Sequence, residues 1–438
     1  MRINRRSFLA GAATFGAMAP VDGLGGAAAR SAGAPKGGRA ISRAYDHVVV
    51  GGGFAGVAAA LASARSGATT CLVERTTALG GLSTQGHVIV FMPLCDGFGR
   101  QVTFGIPEEL LRLPMRYSAA RPNGAWNAKK GTKEDLSKAR YELVFDPGPM
   151  MLGLERILAD AGVDIFYDTD VNGVRLSGGR VAELEASCAS ARLTFAAKAF
   201  TDATGAAAVA GMCGADTVGG LAGNIPCGWY YAVDSDRRIS FRCGAGKTFR
   251  RAFPAEARDY AGDDPVDRSR HVIASRRAIM RDIAEENERR SAAGMSPLHV
   301  FSIPTYPTLL KLSRIRGGAS SDAVVGVFSD WRKKGPVYPM RLGQLVVPGL
   351  DNLLVAGRCI ACADDMWDVV RCLPACCVSG QAAGTAAAMI ANGGAAPSLD
   401  ADDLRRRLVS AGVRLDESLL VPDPAYSGGG ELREEGIF

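Results

Sequence analysis

Histidine is scarce in this chain: His47, His87, His271 and His299 are the four in 438 residues. No H-E-x-x-H and no Ser-His-Asp order appears, so hydrolysis finds no support in the sequence. No uninterrupted run of about 18 or more apolar residues is present, which leaves no expected transmembrane helix and no stable membrane anchor. Excess charge of one sign is also small: 51 Lys and Arg against 45 Asp and Glu give +6. That is a poor footprint for nucleic acid, the more so because part of it lies in an N-terminal segment expected to be removed. The 11 cysteines are odd in number, so they make no complete disulfide framework. Glycine is abundant, at 54 residues, but lacks the three-residue period of collagen. With 47% hydrophobic residues the chain can bury a large core, as one large α/β domain or two ordinary ones.

The first residues read as a targeting segment. Arg5-Arg6 is followed by Ser7-Phe8-Leu9 and a mildly apolar Ala- and Gly-rich stretch. This resembles a twin-arginine export signal of the form R-R-x-F-L. Ala17-Met18-Ala19 and Ala27-Ala28-Ala29 are alternative cleavage sites. The resemblance implies a periplasmic or secreted protein, exported folded by the twin-arginine machinery, often with its cofactor installed. Residues 1–43 are taken as signal and flexible leader. Folding in a reducing cytoplasm would keep thiols free. Cys359-x-x-Cys362, Cys372 and Cys376-Cys377 cluster in sequence, but one C-x-x-C is half of a four-ligand zinc set. They read as small buried hydrophobes, with redox or metal roles as the alternative and no metal expected.

The segment that follows has dinucleotide-binding form. His47-Val48-Val49-Val50 is a short buried strand leading into Gly51-Gly52-Gly53-Phe54-Ala55-Gly56, a match to G-x-G-x-x-G. In so glycine-rich a chain about one such match is expected by chance, so its context must carry it. A small-residue helix over 55–66, a strand over 70–73 and Glu74 at that strand's end supply it. Gly51 permits the tight turn, Gly53 lets backbone amides approach a pyrophosphate, and Gly56 lets helix pack on strand. The helix N-terminus favours phosphate, and Glu74 stands where an acid meets a ribose hydroxyl.

Further motifs decide which dinucleotide. Arg75 is followed by Gly80-Gly81-Leu82, a glycine pair just past the acid. A helix over 150–161, a strand reaching Val171 and a hairpin turning at Gly178-Gly179 come next. Then Asp202-Ala203-Thr204-Gly205 closes a strand, with Ala206-Ala207 after it. Later come Asn352-Leu353-Leu354-Val355-Ala356-Gly357-Arg358 and a helix from Pro374 carrying Gly380-Gln381-Ala382-Ala383-Gly384. Together these resemble the FAD-dependent oxidoreductase family, distantly like fumarate reductase flavoprotein subunits, over about residues 44–395. The resemblance implies an α/β, Rossmann-like FAD-binding domain of the glutathione-reductase type with an inserted α+β substrate domain. It implies FAD held by Gly51, Gly53, Phe54, Ala55, Gly56, Glu74, Arg75, Gly80, Gly81, Leu82, Val171, Thr204, Gly205, Gly357, Arg358, Gly380, Gln381 and Ala383. Family members often continue D-A-T-G with an acid and Gly, so Ala206-Ala207 depart from the pattern. The N-terminus of the helix at Pro374 would face the flavin and stabilise negative charge on it.

The expected organisation is an FAD-binding first part over 44–215, a substrate or cap domain over 216–348, an FAD-binding return over 349–395, and a C-terminal helix and tail over 396–438. Within the cap, Ser275–Arg290 reads as an exposed helix in an otherwise charged and irregular stretch. Gly244–Thr248 imitates a phosphate loop, but Phe241 stands where that loop needs Gly. Ile303–Pro307 and Ser313–Gly317 resemble an Arg-rich family stretch. Arg314, Arg341 and Arg371 are candidates to orient an anionic substrate, against pairing with acids or FAD phosphates. Arg371, shortly before Pro374, is the residue expected closest to chemistry, with Asp364, Asp365 or Asp368 as its alternative salt-bridge partners. His87 is the candidate acid/base or covalent flavin anchor, against polar packing; His47 is structural. No second G-x-G-x-x-G sits in a βαβ context, so electrons must pass to a periplasmic carrier, oxygen or the substrate. Two function classes result: an exported FAD enzyme acting on a small organic substrate, or a flavin-carrying electron-transfer subunit of a larger complex.

Overall fold

The computed structural model describes residues 39–219, 224, 226–233, 238–245, 258–305, 312–319 and 321–426. The signal and the cleavage sites lie outside the described residues, as do Gly246-Lys247-Thr248, Tyr306-Pro307 and Lys311.

Strand β1 runs Ala40–Val50, helix α1 Phe54–Arg65 and strand β2 Thr70–Val73, the expected βαβ unit. The leader was expected to reach Arg43. Instead Ala40–Ala44 already pair with a long later strand, whose extra N-terminal half supplies them with backbone partners. Helix α2 (Pro147–Asp160) leads to β3 (Asp164–Phe166). Val171 was expected on that strand but is the second residue of a different one, because the chain turns at Asp168, which has a φ of 50°. Strands β4 (Asp170–Ser177) and β5 (Arg180–Cys188) form a hairpin. Gly178 and Gly179, at φ 55° and 76°, make its two-residue turn with the left-handed backbone such hairpins require.

Strand β6 (Ala191–Asp202) is the spine of the sheet. One edge pairs with β1 along its whole length, in parallel. The other edge is shared. Ala191–Ala196 pair antiparallel with β5, and Phe200–Asp202 pair parallel with β12 (Leu353–Val355), a strand from the far end of the chain. Buried Asn352 fills the fork between them: its side chain bonds Val181 N and O, both at 2.8 Å, and the Lys198 carbonyl at 3.2 Å. Strands β2 and β12 are buried at every residue, as in parallel sheets covered on both faces.

Residues 228–341 add two smaller sheets. Strands β7 (Gly228–Val233), β8 (Ile239–Ala245) and β9 (His299–Ser302) form an antiparallel sheet in the order β8-β7-β9. It is backed by helix α3, which runs Pro265–Ala292 and not only over 275–290. The missed start has a local cause: the Asp264 carboxylate accepts from Asp267 N at 2.6 Å and Pro265 occupies the first helical position. One face of α3 is buried through His271, Ser275, Ala278, Ile279 and Asp282, so it is not an all-exposed helix. Strands β10 (Val324–Ser329) and β11 (Val337–Arg341) form the other sheet. Their buried Val325, Phe328 and Met340 join the same core as β1, β6 and α1.

Helix α4 (Leu373–Ala391) lies against α1. A Cβ at Gly380 would strike the Ala55 carbonyl, and one at Gly384 the Ala59 carbonyl, so these two helices meet backbone to backbone. At 19 residues and mean hydropathy 1.3, α4 is long and apolar enough to cross a membrane, which the reading of uninterrupted runs did not anticipate. It is 89% buried inside the protein and serves as a core helix. Helix α5 (Ala401–Ser410) follows it.

His47 shows what the buried sheet costs. Its Nε2 meets Thr201 Oγ1 at 2.8 Å across β1 and β6, and its buried Nδ1 has no hydrogen-bond partner. Burial pushes its pKa down to about 3, whereas the unfolded chain takes up that proton near 6.5. The unfolded state therefore binds more protons between those values, and stability rises with pH until it levels above about 6.5. From pH 6.5 to 4.5 the expected loss from this group is about 2–3 kcal/mol. Denaturant midpoints across that range, for wild type and His47→Gln, check it. An equal slope in the variant would place the acid sensitivity elsewhere.

Candidate functional site

The loop after β1 is shaped by its glycines, and each has a different surrounding. Gly51 has φ 103°, and a Cβ there would lie 2.5 Å from the Ala203 carbonyl oxygen. A Cβ at Gly56 would collide with the Gly51 carbonyl. Gly53, the N-cap of α1, is the exception: a Cβ there meets nothing within 4 Å. No side chain caps this helix, so its first N–H groups lack a side-chain acceptor.

Glu74 is buried and holds the loop from below. One carboxylate oxygen accepts from Gly52 N at 2.6 Å, the other from Thr76 N and Oγ1 at 2.9 and 2.8 Å. A carboxylate has about four acceptor sites, so one is left for a hydroxyl. Arg75 is exposed just outside. The glycine pair returns to the same place: Gly80 N donates to Gly52 O at 2.8 Å, and Gly80 bridges Gly53. A Cβ at Gly81 would sit 3.3 Å from Gly53 Cα, and Leu82 follows, half-buried. Residues 168 and 169 dock on this edge, through Asp168 N to Thr76 O and Thr169 N to Glu74 O, both 3.1 Å. Val171 stands two residues beyond.

The Asp202–Gly205 turn closes the third side. Buried Asp202 accepts from Thr204 N and Oγ1 at 3.0 and 2.7 Å and from Ala210 N at 3.0 Å. The Cys359 thiol accepts from Gly205 N at 3.1 Å and Ala207 N at 3.2 Å. Neither role was read from the sequence, although Cys359 follows the quoted Gly357-Arg358. Ala207, where the resemblance implies Gly, takes a left-handed φ of 49°. Gly357 N is held by Ser379 Oγ at 2.9 Å, the residue just before Gly380. The half-buried Arg358 guanidinium lies against Gly205, 2.6 Å from where a Cβ would sit. Burial lowers its pKa below the ordinary value, and Arg371 adds repulsion in the same direction.

Arg371 stands just before the N-terminus of α4, which like that of α1 has no side-chain cap. Its Nε donates to Asp368 at 3.0 Å and its guanidinium lies 5.0 Å from the Trp367 ring centroid. Of the alternative salt-bridge partners, Asp368 is the one engaged. Burial pushes the Cys372 and Cys376 thiols up to about 12, and Arg371 acts against that shift in both. These thiols are protonated and inert at neutral pH.

His87 lies where the glycine-pair loop meets the β7–β9 sheet. Its ring is 5.5 Å from that of Tyr231, its Nε2 is 3.4 Å from Ser302 Oγ, and its buried Nδ1 has no hydrogen-bond partner. Burial lowers its pKa, so the ring is neutral at physiological pH. Its φ of 52° is unusual for a residue with a Cβ. Trp229 Nε1 donates to Gly86 O at 2.9 Å, and Thr305 N to Gln85 O at 2.9 Å, which clamps the loop to the cap sheet. Trp229, Tyr231 and Ser302 were not anticipated, since nothing local in sequence links them to residue 87.

Other candidate residues make structural contacts. Arg341 donates to the Asp322 carbonyl at 2.7 Å and is partly exposed. Buried Arg314 donates to the Cys362 carbonyl at 3.2 Å and to Asp364 at 2.5 Å, fastening a loop. Gly380 and Ala383 are packing residues in α4, and Gln381 accepts from Ile106 N at 3.0 Å, deep in the core. The Phe54 side chain packs edge-on against Phe91, with ring centroids 5.6 Å apart, and only its backbone belongs to the loop.

A cradle of two uncapped helix N-termini, a buried acid at a strand end and two arginines suits an elongated anionic dinucleotide. The family model described as FAD dependent oxidoreductase matches residues 46–291 and 321–408. No curated protein matches. Among solved structures, this chain is similar to the p-nitrophenol 4-monooxygenase PnpA from Pseudomonas putida DLL-E4, at 14% identity and TM-score 0.42, covering 85% of this chain and 84% of that one. It is similar to the myxobacterial chondrochloren halogenase CndH at 14% and 0.43, covering 84% and 78%. It is also similar to a geranylgeranyl bacteriochlorophyll reductase-like protein from Thermoplasma acidophilum at 14% and 0.41, covering 84% and 82%.

Proposed function

The chain belongs to the FAD-dependent oxidoreductase family, and from that premise we propose that it is an exported dehydrogenase or reductase acting on a small organic molecule. FAD is its cofactor and supplies, when bound, the acceptance or return of a hydride or electron pair. The observation that carries the reading is the open space at Gly53, beside the uncapped start of α1 and above buried Glu74. Gly51–Gly56 and the first amides of α1 hold the pyrophosphate, Glu74 a ribose hydroxyl, and Gly80-Gly81 let the chain pass close by. Arg358 and Arg371 keep positive charge at the far end. Arg371 orients a carboxylate or carbonyl of the substrate with its planar fork. His87, neutral and with Nδ1 unpartnered, holds or moves the proton that accompanies transfer.

Anaerobic titration of the purified flavoprotein with a panel of small metabolites tests this. At least one should bleach the flavin absorbance with saturating dependence. A protein that no metabolite reduces, but that a carrier protein does, would favour the electron-transfer subunit instead. Export is supported by Arg5-Arg6 with Phe8-Leu9. Changing both arginines to lysine should trap the precursor inside the cell; unchanged export would count against the twin-arginine route.

A further inference from the structure

Helix α3 buries one face against the cap sheet and leaves another bare. Val266, Ile273 and Met280 on that outer face are 54%, 51% and 68% exposed. Seven residues is close to two helical turns, so the three form one line along the helix. The other exposed positions between 266 and 281 are Ser269, Arg270, Arg276, Arg277 and Arg281, which is four arginines and no acid. Arg277 falls beside the apolar line, Arg270 and Arg281 on one flank, Arg276 on the other, at 100° per residue. Arg276 also donates to the Thr305 carbonyl at 3.1 Å, which brings the segment carrying exposed Ile303 alongside. Asp267, the acid within this stretch, is engaged by Arg258 at 2.7 Å and lies 3.7 Å from Arg270; beyond Arg281 the helix carries exposed Glu285 and Glu288.

We propose that this face docks reversibly on an anionic lipid surface. Charge complementarity chooses the occupant. A second copy packed on the same face would set arginines against arginines. A phospholipid surface instead offers phosphates to Arg270, Arg276, Arg277 and Arg281 and an acyl boundary to Val266, Ile273 and Met280. Docking needs no unfolding, because the buried face of α3 stays on the sheet through Ser275, Ala278 and Ile279. Three apolar side chains make a peripheral contact and not an anchor.

The full FAD-loaded protein is sedimented with phosphatidylcholine vesicles, with and without phosphatidylglycerol. Binding to the anionic vesicles should be about tenfold tighter or more, and should weaken in high salt. Arg277→Glu with Arg281→Glu should abolish that preference while flavin absorbance and circular dichroism stay unchanged. Met280→Gln should weaken binding several-fold with the salt dependence kept. Equal or absent binding to both vesicle types would overturn the proposal. So would a folded charge-reversal variant that binds like wild type, or a dimer that the same charge reversal dissociates.

Discussion

Gly53→Val is expected to give a folded protein that has lost its flavin. In most glycine-rich loops a substitution confounds the two, because the same atom that blocks the ligand also strains the chain. Here they separate. The Gly53 backbone is extended, and a Cβ there meets nothing within 4 Å. What it enters is the space we assign to the pyrophosphate. Overpacking of up to about 3 kcal/mol corresponds to a loss of about 100-fold in FAD affinity. Purified Gly53→Val should be nearly colourless near about 450 nm, where flavins absorb, yet keep wild-type circular dichroism. Gly51→Ala and Gly56→Ala are the controls, since their Cβ atoms meet the Ala203 and Gly51 carbonyls and should damage the loop itself. Full FAD content in Gly53→Val would remove the central support for the proposed cradle.

Arg371→Lys should lower turnover by about 100-fold or more, the scale for losing one preorganised electrostatic donor. The guanidinium is always charged and offers five donors in a plane, of which Asp368 takes one at 3.0 Å. Lysine keeps the charge and loses the fork. FAD content should change little, because lysine keeps the positive charge at this end of the cradle and the pyrophosphate is assigned to Gly51–Gly56 at the other. The competing reading is that the Asp368 pair and the Trp367 contact exist only to fasten the loop. Asp368 is about half exposed, so that pair contributes little stability. Arg371→Lys and Arg371→Ala, each assayed for kcat and for thermal midpoint, separate the two. Normal specific activity with a lowered midpoint would defeat the substrate role.

Much of the nucleotide-binding half was legible because its signals are local. The strand, the glycines, the small-residue helix and Glu74 follow one another within 35 residues, and β2 is found at the expected 70–73. The hairpin turn at Gly178-Gly179 was equally readable from two adjacent residues. The cap was harder, since Trp229, Tyr231 and Ser302 reach the 85–87 loop from distant strands with no shared pattern. The arginines show the limit most clearly. Arg314, Arg341 and Arg371 look alike in sequence, and only their neighbours separate them: two fasten loops by backbone carbonyls, and the third borders an uncapped helix start. Gly380, Gln381 and Ala383 belong to a recognisable motif, but the motif reports how closely α4 must approach α1.

The forked edge of β6 has a consequence for biosynthesis. Its upper half is satisfied as soon as the neighbouring hairpin is made, but Phe200–Asp202 wait for Leu353–Val355, about 150 residues later. Contacts so far apart in sequence close slowly. Until the ribosome has added that strand and then α4, the nascent chain carries an open sheet edge next to the turn that ends at Gly205, with nothing yet opposite α1. Such an edge is a template for wrong pairing. Completion of the nucleotide cradle therefore comes late, and chains that stop short of residue 391 should be substrates for chaperones and proteases and not smaller working enzymes.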